Sequence, residues 1–223
     1  MSATAMFFDT RHAVMSDGNE GAGVRALCYD QQTAIVEPRI RHGMTVLDVG
    51  CGPKLPYDGS RAWMIGLDPS EASLAQNTDV DERICASATA IPLPDNSVDM
   101  VISFYAIHHM TMQTMGGSEI RADRALAEMK RVCRPGGEVL VFEMAPSSLA
   151  WWAEVAFWDI AKMLLGDHLD SCFWPDFLYQ GADIFRFFAP WWTTFPPIFS
   201  LPRLKLPRFL FPFTPTLYRW KVT

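Results

Sequence analysis

Val46–Pro53 reads VLDVGCGP, an apolar run of strand character that halts at a carboxylate and breaks into two glycines and a proline. Gly50 and Gly52, placed where a buried strand ends, call for a tight turn or for a backbone that something approaches closely. Working outward, Thr45–Val49 is predicted as a buried strand, Trp63–Leu67 as a second and RICASA (Arg83–Ala88) as a third. Val98–Ser103 makes a fourth and Glu138–Glu143 a fifth. Helices are predicted over Ala22–Glu37, ended by Pro38, and over Ser70–Gln76 and Ser118–Arg131, with a turn at CRPGG (Cys133–Gly137). Strands alternating with helices through residues 44–143 predict a parallel, doubly wound sheet.

The chain has 223 residues, the size of one domain with a substantial core. A composition 49% hydrophobic and 20% charged excludes disorder over most of it. The N-terminal residues show no basic stretch followed by an apolar one, so no secretory signal is expected. No uninterrupted apolar run reaches the roughly 18 residues that span a bilayer; Leu149–Leu165 comes nearest but carries Glu154, Asp159 and Lys162. Five cysteines, scattered and without C-x-x-C spacing, point to reduced thiols in a cytoplasmic compartment and away from a metal site.

The formal charge of −6 is unevenly spread. Six of the 19 basic residues and none of the 25 acidic ones follow Asp183, so the rest carries 13 basic against 25 acidic residues. An acidic body with a basic aromatic tail does not suit nucleic acid. The C-terminal third also changes pattern. LAWWAEVAFWDIAKMLL (Leu149–Leu165) is predicted as one helix, and TLYRWKVT (Thr216–Thr223) alternates as a strand. Between them, prolines at 197, 202, 207 and 212 exclude a helix and a central strand alike. Trp191 to Phe213, dense in aromatic and basic residues, is expected either to meet a membrane or lipophilic molecule, or to strap its rings onto the sheet with its basic heads in water.

In an open parallel sheet, ligands bind beyond the carboxyl ends of the strands. Asp68 ends the second strand, 18 residues after Gly50. A carboxylate there is placed to accept hydrogen bonds from both hydroxyls of a ribose, although a glycine turn plus one acid also describes an ordinary turn with a surface acid. A dinucleotide site wants a third glycine and a helix N-terminus; Lys54 stands in that glycine's place, and Pro53, Pro56 and Gly59 spoil the helix.

AIPLPDNSVDMVISFYAIHHM (Ala90–Met110) and ALAEMKRVCRPGGEVLVFE (Ala125–Glu143) complete an ordered set of motifs. With them the chain resembles the class I S-adenosylmethionine-dependent methyltransferases over about residues 22–145, most of all the group containing ubiquinone/menaquinone C-methyltransferases and natural-product O-methyltransferases. The resemblance implies a Rossmann-like, doubly wound, mostly parallel seven-stranded sheet. It also implies one methyltransferase domain over 1–223, with a cofactor-binding core at 22–145 and an acceptor lid and strap at 146–223. Asp48, Gly50, Cys51 and Gly52 would wrap the methionine part of S-adenosylmethionine, Asp68 with Pro69 the ribose, Ser87 and Ala88 the adenine, and Ser103 would lie against the methionyl moiety. Two departures stand out: Ser87 replaces the usual aspartate, and the proline-broken segment between Gly52 and Asp68 leaves the usual first helix truncated or reshaped.

Methyl transfer needs an aligned acceptor, exclusion of water and, for a hydroxyl or acidic carbon, removal of a proton. In the family pattern the base machinery falls on His108, His109 and Glu143. Equally, one of these rings would cap a helix or pack under the site, with Glu143 a structural strand-end acid. Tyr29 and Tyr105 are candidates for lining the methyl pocket, or ordinary packing. The expected activity is methyl transfer to a small apolar or amphiphilic acceptor; the alternatives are a quinone-ring C-methyltransferase at a membrane surface and a non-catalytic cofactor-binding module that regulates a partner. No N-P-P-Y motif and no basic groove outside the tail point to nucleic acid.

Overall fold

The apolar runs and their breakers fold as a mixed sheet with helices on both faces. A computed structural model describes residues 24–110, 112, 114–165, 180–187, 192–194, 205–207 and 213–223. In chain order the elements are α1 (Val24–Val36), β1 (Thr45–Val49), β2 (Trp63–Asp68), α2 (Glu71–Gln76), β3 (Glu82–Cys85), β4 (Val98–Phe104), a 3₁₀ turn (Ile107–His109), α3 (Met115–Val132), β5 (Cys133–Pro146), α4 (Ser148–Leu165), β6 (Asp183–Arg186), β7 (Trp192–Thr194), β8 (Lys205–Pro207) and β9 (Phe213–Lys221). Seven strands form one sheet in the order β3-β2-β1-β4-β5-β9-β6, and β7 pairs with β8. The pairs from β3 to β5 are parallel, while β9 runs antiparallel to both β5 and β6.

Alternation along β4 shows how the core is divided. Val101 joins Val139 and Val141 of β5 in a cluster closed by Ala122, Leu126 and Met129 of α3 and Trp158 of α4. Met100 and Ile102 face the other way, with Leu140 and Phe142, onto Val36 of α1 and Leu74 of α2. Burial on both faces explains why these strands read as near-continuous apolar runs. Helix starts follow side-chain caps: the Ser70 hydroxyl accepts from the Ser73 N–H at 3.1 Å, and the Thr114 hydroxyl accepts from the Gly117 N–H at 3.1 Å.

The structure corrects several boundaries. No helix lies between β1 and β2 or between β3 and β4, where the chain crosses as turns and loop. The expected third strand is shorter, ending at Cys85. CRPGG is drawn into β5: Cys133 pairs with Val98, the register then shifts, and Gly136 bends the chain at φ 81° before Glu138 pairs with Met100. β6 was not expected, because its four exposed residues carry no alternation signal. β9 starts at Phe213 and tolerates Pro215 near its beginning, where a proline costs least; the Pro215 carbonyl still accepts from the Phe187 N–H at 2.8 Å. Most of Trp191 to Phe213 lies outside the described residues, so the strap-or-membrane expectation for it stays a proposal.

Candidate active site

The carboxyl ends of β1, β2, β4 and β5 meet at one edge, where the strand order reverses between β1 and β4. The glycine turn after β1 is anchored to β2: the Gly50 N–H donates to the Leu67 carbonyl at 2.7 Å, and the Cys51 N–H to the same oxygen at 3.3 Å. Gly50 has φ 76°, and a Cβ on it would lie 2.3 Å from the Cβ of Ala106. The turn therefore interlocks with the segment leaving β4, and only glycine fits there. Cys51 is buried, its thiol packed where Gly66 has no side chain, and burial pushes that thiol far above its ordinary pKa. A buried protonated thiol is a packing group rather than a nucleophile.

Asp68 sits where a ribose acid is expected. Its two carboxylate oxygens accept from the Gly52 N–H at 3.0 Å and the Ser70 N–H at 2.8 Å, so the backbone at both ends of the site sets the plane of the acid. Pro69 follows, half-buried. The loop that replaces the first helix is stapled by side chains instead. Asn77, fully buried, donates to the Gly52 carbonyl at 2.9 Å, and the Asp79 carboxylate accepts from the Leu55 N–H at 3.1 Å.

That loop delivers Tyr57, whose hydroxyl donates to the Asp48 carboxylate at 2.6 Å, both side chains being buried. Burial pushes the Asp48 carboxyl up to about 7; the Tyr57 hydrogen bond opposes this and the nearby Asp68 charge adds to it. Tyr57 and Asn77 escaped the sequence reading. A tyrosine inside a proline-broken stretch and an Asn-Thr-Asp loop were the only signals, and neither carries a motif.

Ser87 and Ala88 lie on the loop after β3, Ala88 buried and the Ser87 hydroxyl 2.8 Å from that of Thr89. α3 fixes this loop. Glu128 accepts from the Ile91 N–H at 2.9 Å, and Arg131 donates to the Ile91 and Leu93 carbonyls at 2.9 Å while pairing with Glu128 and Asp95. Ser103 is at the end of β4 as expected, but it is fully buried and its hydroxyl donates to the Val49 carbonyl at 2.8 Å, so it ties β4 to β1.

Beyond β4, Tyr105 takes φ 52°, a left-handed conformation that is strained for a tyrosine, and its hydroxyl accepts from Gln32 of α1. Tyr105 is thus buried packing that re-aims the chain, while the Tyr29 side chain lies outside the described residues. The reversal starts the 3₁₀ turn Ile107–His109. One Glu143 oxygen accepts from the Ile107 N–H at 2.8 Å and the His108 N–H at 3.3 Å; the other lies 2.8 Å from His108 Nδ1, which donates to the carboxylate. His108 and Glu143 are buried at 0% and 1% exposure, whereas His109 is half-buried, its ring centroid 4.0 Å from that of His108. The structure therefore brings all three together, with only His109 reaching toward the surface.

Among known proteins, residues 47–141 match the model of the Methyltransferase domain family. The ubiquinone/menaquinone biosynthesis C-methyltransferase UbiE of Burkholderia cenocepacia is 29% identical over 124 residues, covering 50% of this chain and 47% of that protein. Its counterpart in Burkholderia multivorans is 27% identical over 168 residues, 70% of this chain and 62% of that protein. The chain thus spans about half the length of the first of these curated relatives. A solved Thermotoga maritima structure, a SAM-dependent methyltransferase described as a possible histamine N-methyltransferase, shares the fold with a TM-score of 0.59 at 17% identity, covering 99% of this chain and 100% of that one. The match to the Methyltransferase domain model covers residues 47–141, and the fold is the one shared with the Thermotoga maritima SAM-dependent methyltransferase structure. The residues fit S-adenosylmethionine at the tip of β2, where backbone amides orient the Asp68 carboxylate and leave it lone pairs for ribose hydroxyls.

Proposed function

We propose that the protein transfers a methyl group from S-adenosylmethionine to a small, apolar or amphiphilic acceptor, with residues after 146 forming the acceptor side. The observation that carries this is the Asp68 carboxylate, aimed by the Gly52 and Ser70 amides beside the Gly50–Ala106 interlock. The cofactor, when bound, supplies an electrophilic methyl carbon. Gly50, Cys51 and Gly52 line its methionine part, Asp48 provides a negative charge beneath the turn, Asp68 holds the ribose, and Ser87 and Ala88 meet the adenine. His109 accepts the proton of the acceptor. A neutral imidazole has the acceptor nitrogen that task needs. Glu143 and His108 are positioning residues, since their pairing fixes the 3₁₀ turn that carries His109.

A quinol-ring C-methylation is the second reading, favoured by the 29% identity to the Burkholderia C-methyltransferase. There the same base would remove a ring hydroxyl proton to make the adjacent carbon nucleophilic. Incubation with S-adenosylmethionine and a panel of lipophilic phenols, quinols and amines tests both readings. S-adenosylhomocysteine formation dependent on one acceptor class is the expected result. Cofactor binding without turnover on any of them would instead leave a non-catalytic module that acts on a partner.

A further inference from the structure

Gln32 of α1 is fully buried, and only one end of its amide is used. Its Nε2 donates to the Tyr105 hydroxyl, while its Oε1 is sealed from water and meets no donor among the described residues. An amide oxygen buried without a donor carries the full cost of its desolvation, so a folded chain rarely keeps one without a purpose. The residue at the other end of the amide is also unusual. Tyr105 holds a left-handed φ of 52°, and backbone strain of this kind collects at ligand sites.

Placement says which ligand. α1 runs against the strands: three residues past its end, Arg39 lies 3.4 Å from Glu138, which pairs with Met100 near the start of β4. Its earlier turns therefore stand at the carboxyl edge of the sheet, where Gln32 meets Tyr105, the first residue past β4. Ala106 follows, and its Cβ occupies the space that a side chain at Gly50 would need. Gln32, Tyr105, Ala106 and the Gly50 turn thus form a contiguous series at the crevice between β1 and β4. Val36, one turn on from Gln32 and on the same face of α1, packs in one cluster with Tyr105, Cys51 of the turn and Tyr57. In the cofactor reading above, adenine, ribose and methionine part lie in turn along the sheet order β3-β2-β1. The next strand in that order is β4, so the amino-acid head of the cofactor arrives at Tyr105 and Gln32.

We propose that Gln32 is a cofactor-binding residue, its Oε1 accepting a hydrogen bond from the α-ammonium of S-adenosylmethionine. The orphan oxygen calls for a donor, and in the amino-acid head only the ammonium donates, because the carboxylate accepts. Gln32 precedes residues 47–141, the stretch that matches the domain model, so the assignment stands on this chain's own geometry. It rests on the cofactor reading above and adds to it the residue that recognises the amino-acid end.

Calorimetry on the full chain with two ligands tests it: S-adenosylhomocysteine, and its analogue with hydrogen in place of the α-amino group. Gln32→Met keeps the length of the side chain and removes the amide. It should weaken S-adenosylhomocysteine about tenfold, the worth of a hydrogen bond to a charged group, and leave the deaminated analogue within about twofold. Asp68→Ala, by contrast, should weaken both ligands alike, since both carry the ribose. Gln32→Glu keeps an oxygen acceptor in place and should retain the preference for the ammonium-bearing ligand, which reads the same point if Gln32→Met folds poorly. Equal weakening of both ligands by Gln32→Met would make Gln32 a packing residue and overturn the proposal. Unchanged affinity for S-adenosylhomocysteine in Gln32→Met, or a lost preference in Gln32→Glu, would overturn it too. Failure of the cofactor reading looks different: wild type would then bind neither ligand, and this proposal would fall with it.

Discussion

Around Gly50 and Asp68 the chain satisfies itself, the amides of Gly50, Cys51, Gly52 and Leu55 and the carbonyl of Gly52 each meeting a partner within the chain. Along α4 it does the reverse, burying Lys162 and leaving a stripe of large apolar side chains exposed. The first region is specified by what the backbone demands, so its residue types follow from local sterics and hydrogen bonding. The second answers to no such local demand, so its residue types do not follow from backbone sterics or hydrogen bonding. Substitutions in the first region should therefore carry steep, local costs.

The steepest cost is expected at Gly50. Gly50→Ala forces a left-handed alanine and a 2.3 Å contact with Ala106, which should destabilise the fold by at least about 2 kcal/mol and abolish cofactor binding. Gly52→Ala has φ 57° but meets nothing within 4 Å, so it should cost only about 1 kcal/mol. Chemical denaturation and calorimetry on the pair measure the difference, and equal losses would show that the interlock with Ala106 contributes nothing.

Next comes the base. His109→Gln should lower kcat about 10²-fold while leaving affinity for S-adenosylmethionine nearly intact. His108→Gln should act mainly through the melting temperature, since it disturbs a buried pair on which the 3₁₀ turn rests. Wild-type turnover in both variants across pH 5–8 would make the histidines structural and direct attention to acceptors that need no base.

At the ribose acid, Asp68→Ala removes a charged acceptor whose hydrogen bonds are worth about 1.5–3 kcal/mol each. It should weaken cofactor binding at least about tenfold. Unchanged affinity by calorimetry would remove Asp68 from the site.

What the sequence disclosed follows the same division. The strands around Val46, Met64, Val101 and Val141 were legible because two buried faces leave continuous apolar runs, and the glycine turn because Gly50 is sterically compelled. Asp68 could be placed because it ends β2, whereas His108 and Glu143 came from the motif resemblance, and Glu143 lies inside β5 rather than at its end. Tyr57 could not, because its partner Asp48 is reached only once a helix is missing and the loop folds back. Nor could β6, an edge strand whose pairing comes wholly from β9. The inversion of α4 was hidden too, since periodicity shows a stripe but not which side the protein keeps.

The smallest effect is expected at Tyr57, and its sign can be worked out. The folded protein holds the Asp48 proton up to about pH 7, whereas an unfolded chain gives it up near the ordinary 3.8. Asp48 therefore lowers stability progressively as pH rises between about 4 and 7, and the cost is level above that. Asp48→Asn should flatten that slope in pH-dependent melts. Affinity runs the other way, because a cationic cofactor gains from an ionised Asp48 and should bind more weakly as pH falls through 7. The Tyr57 hydrogen bond favours the ionised form, so Tyr57→Phe should raise the Asp48 pKa further. Less of the carboxyl is then ionised near neutral pH, so affinity should fall several-fold there, a loss that should vanish as pH rises well above the Asp48 pKa. Titration calorimetry at several pH values reads this directly. A loss independent of pH would mean that Tyr57 acts only by packing against Phe104, 5.5 Å away between ring centres, and not through the carboxylate.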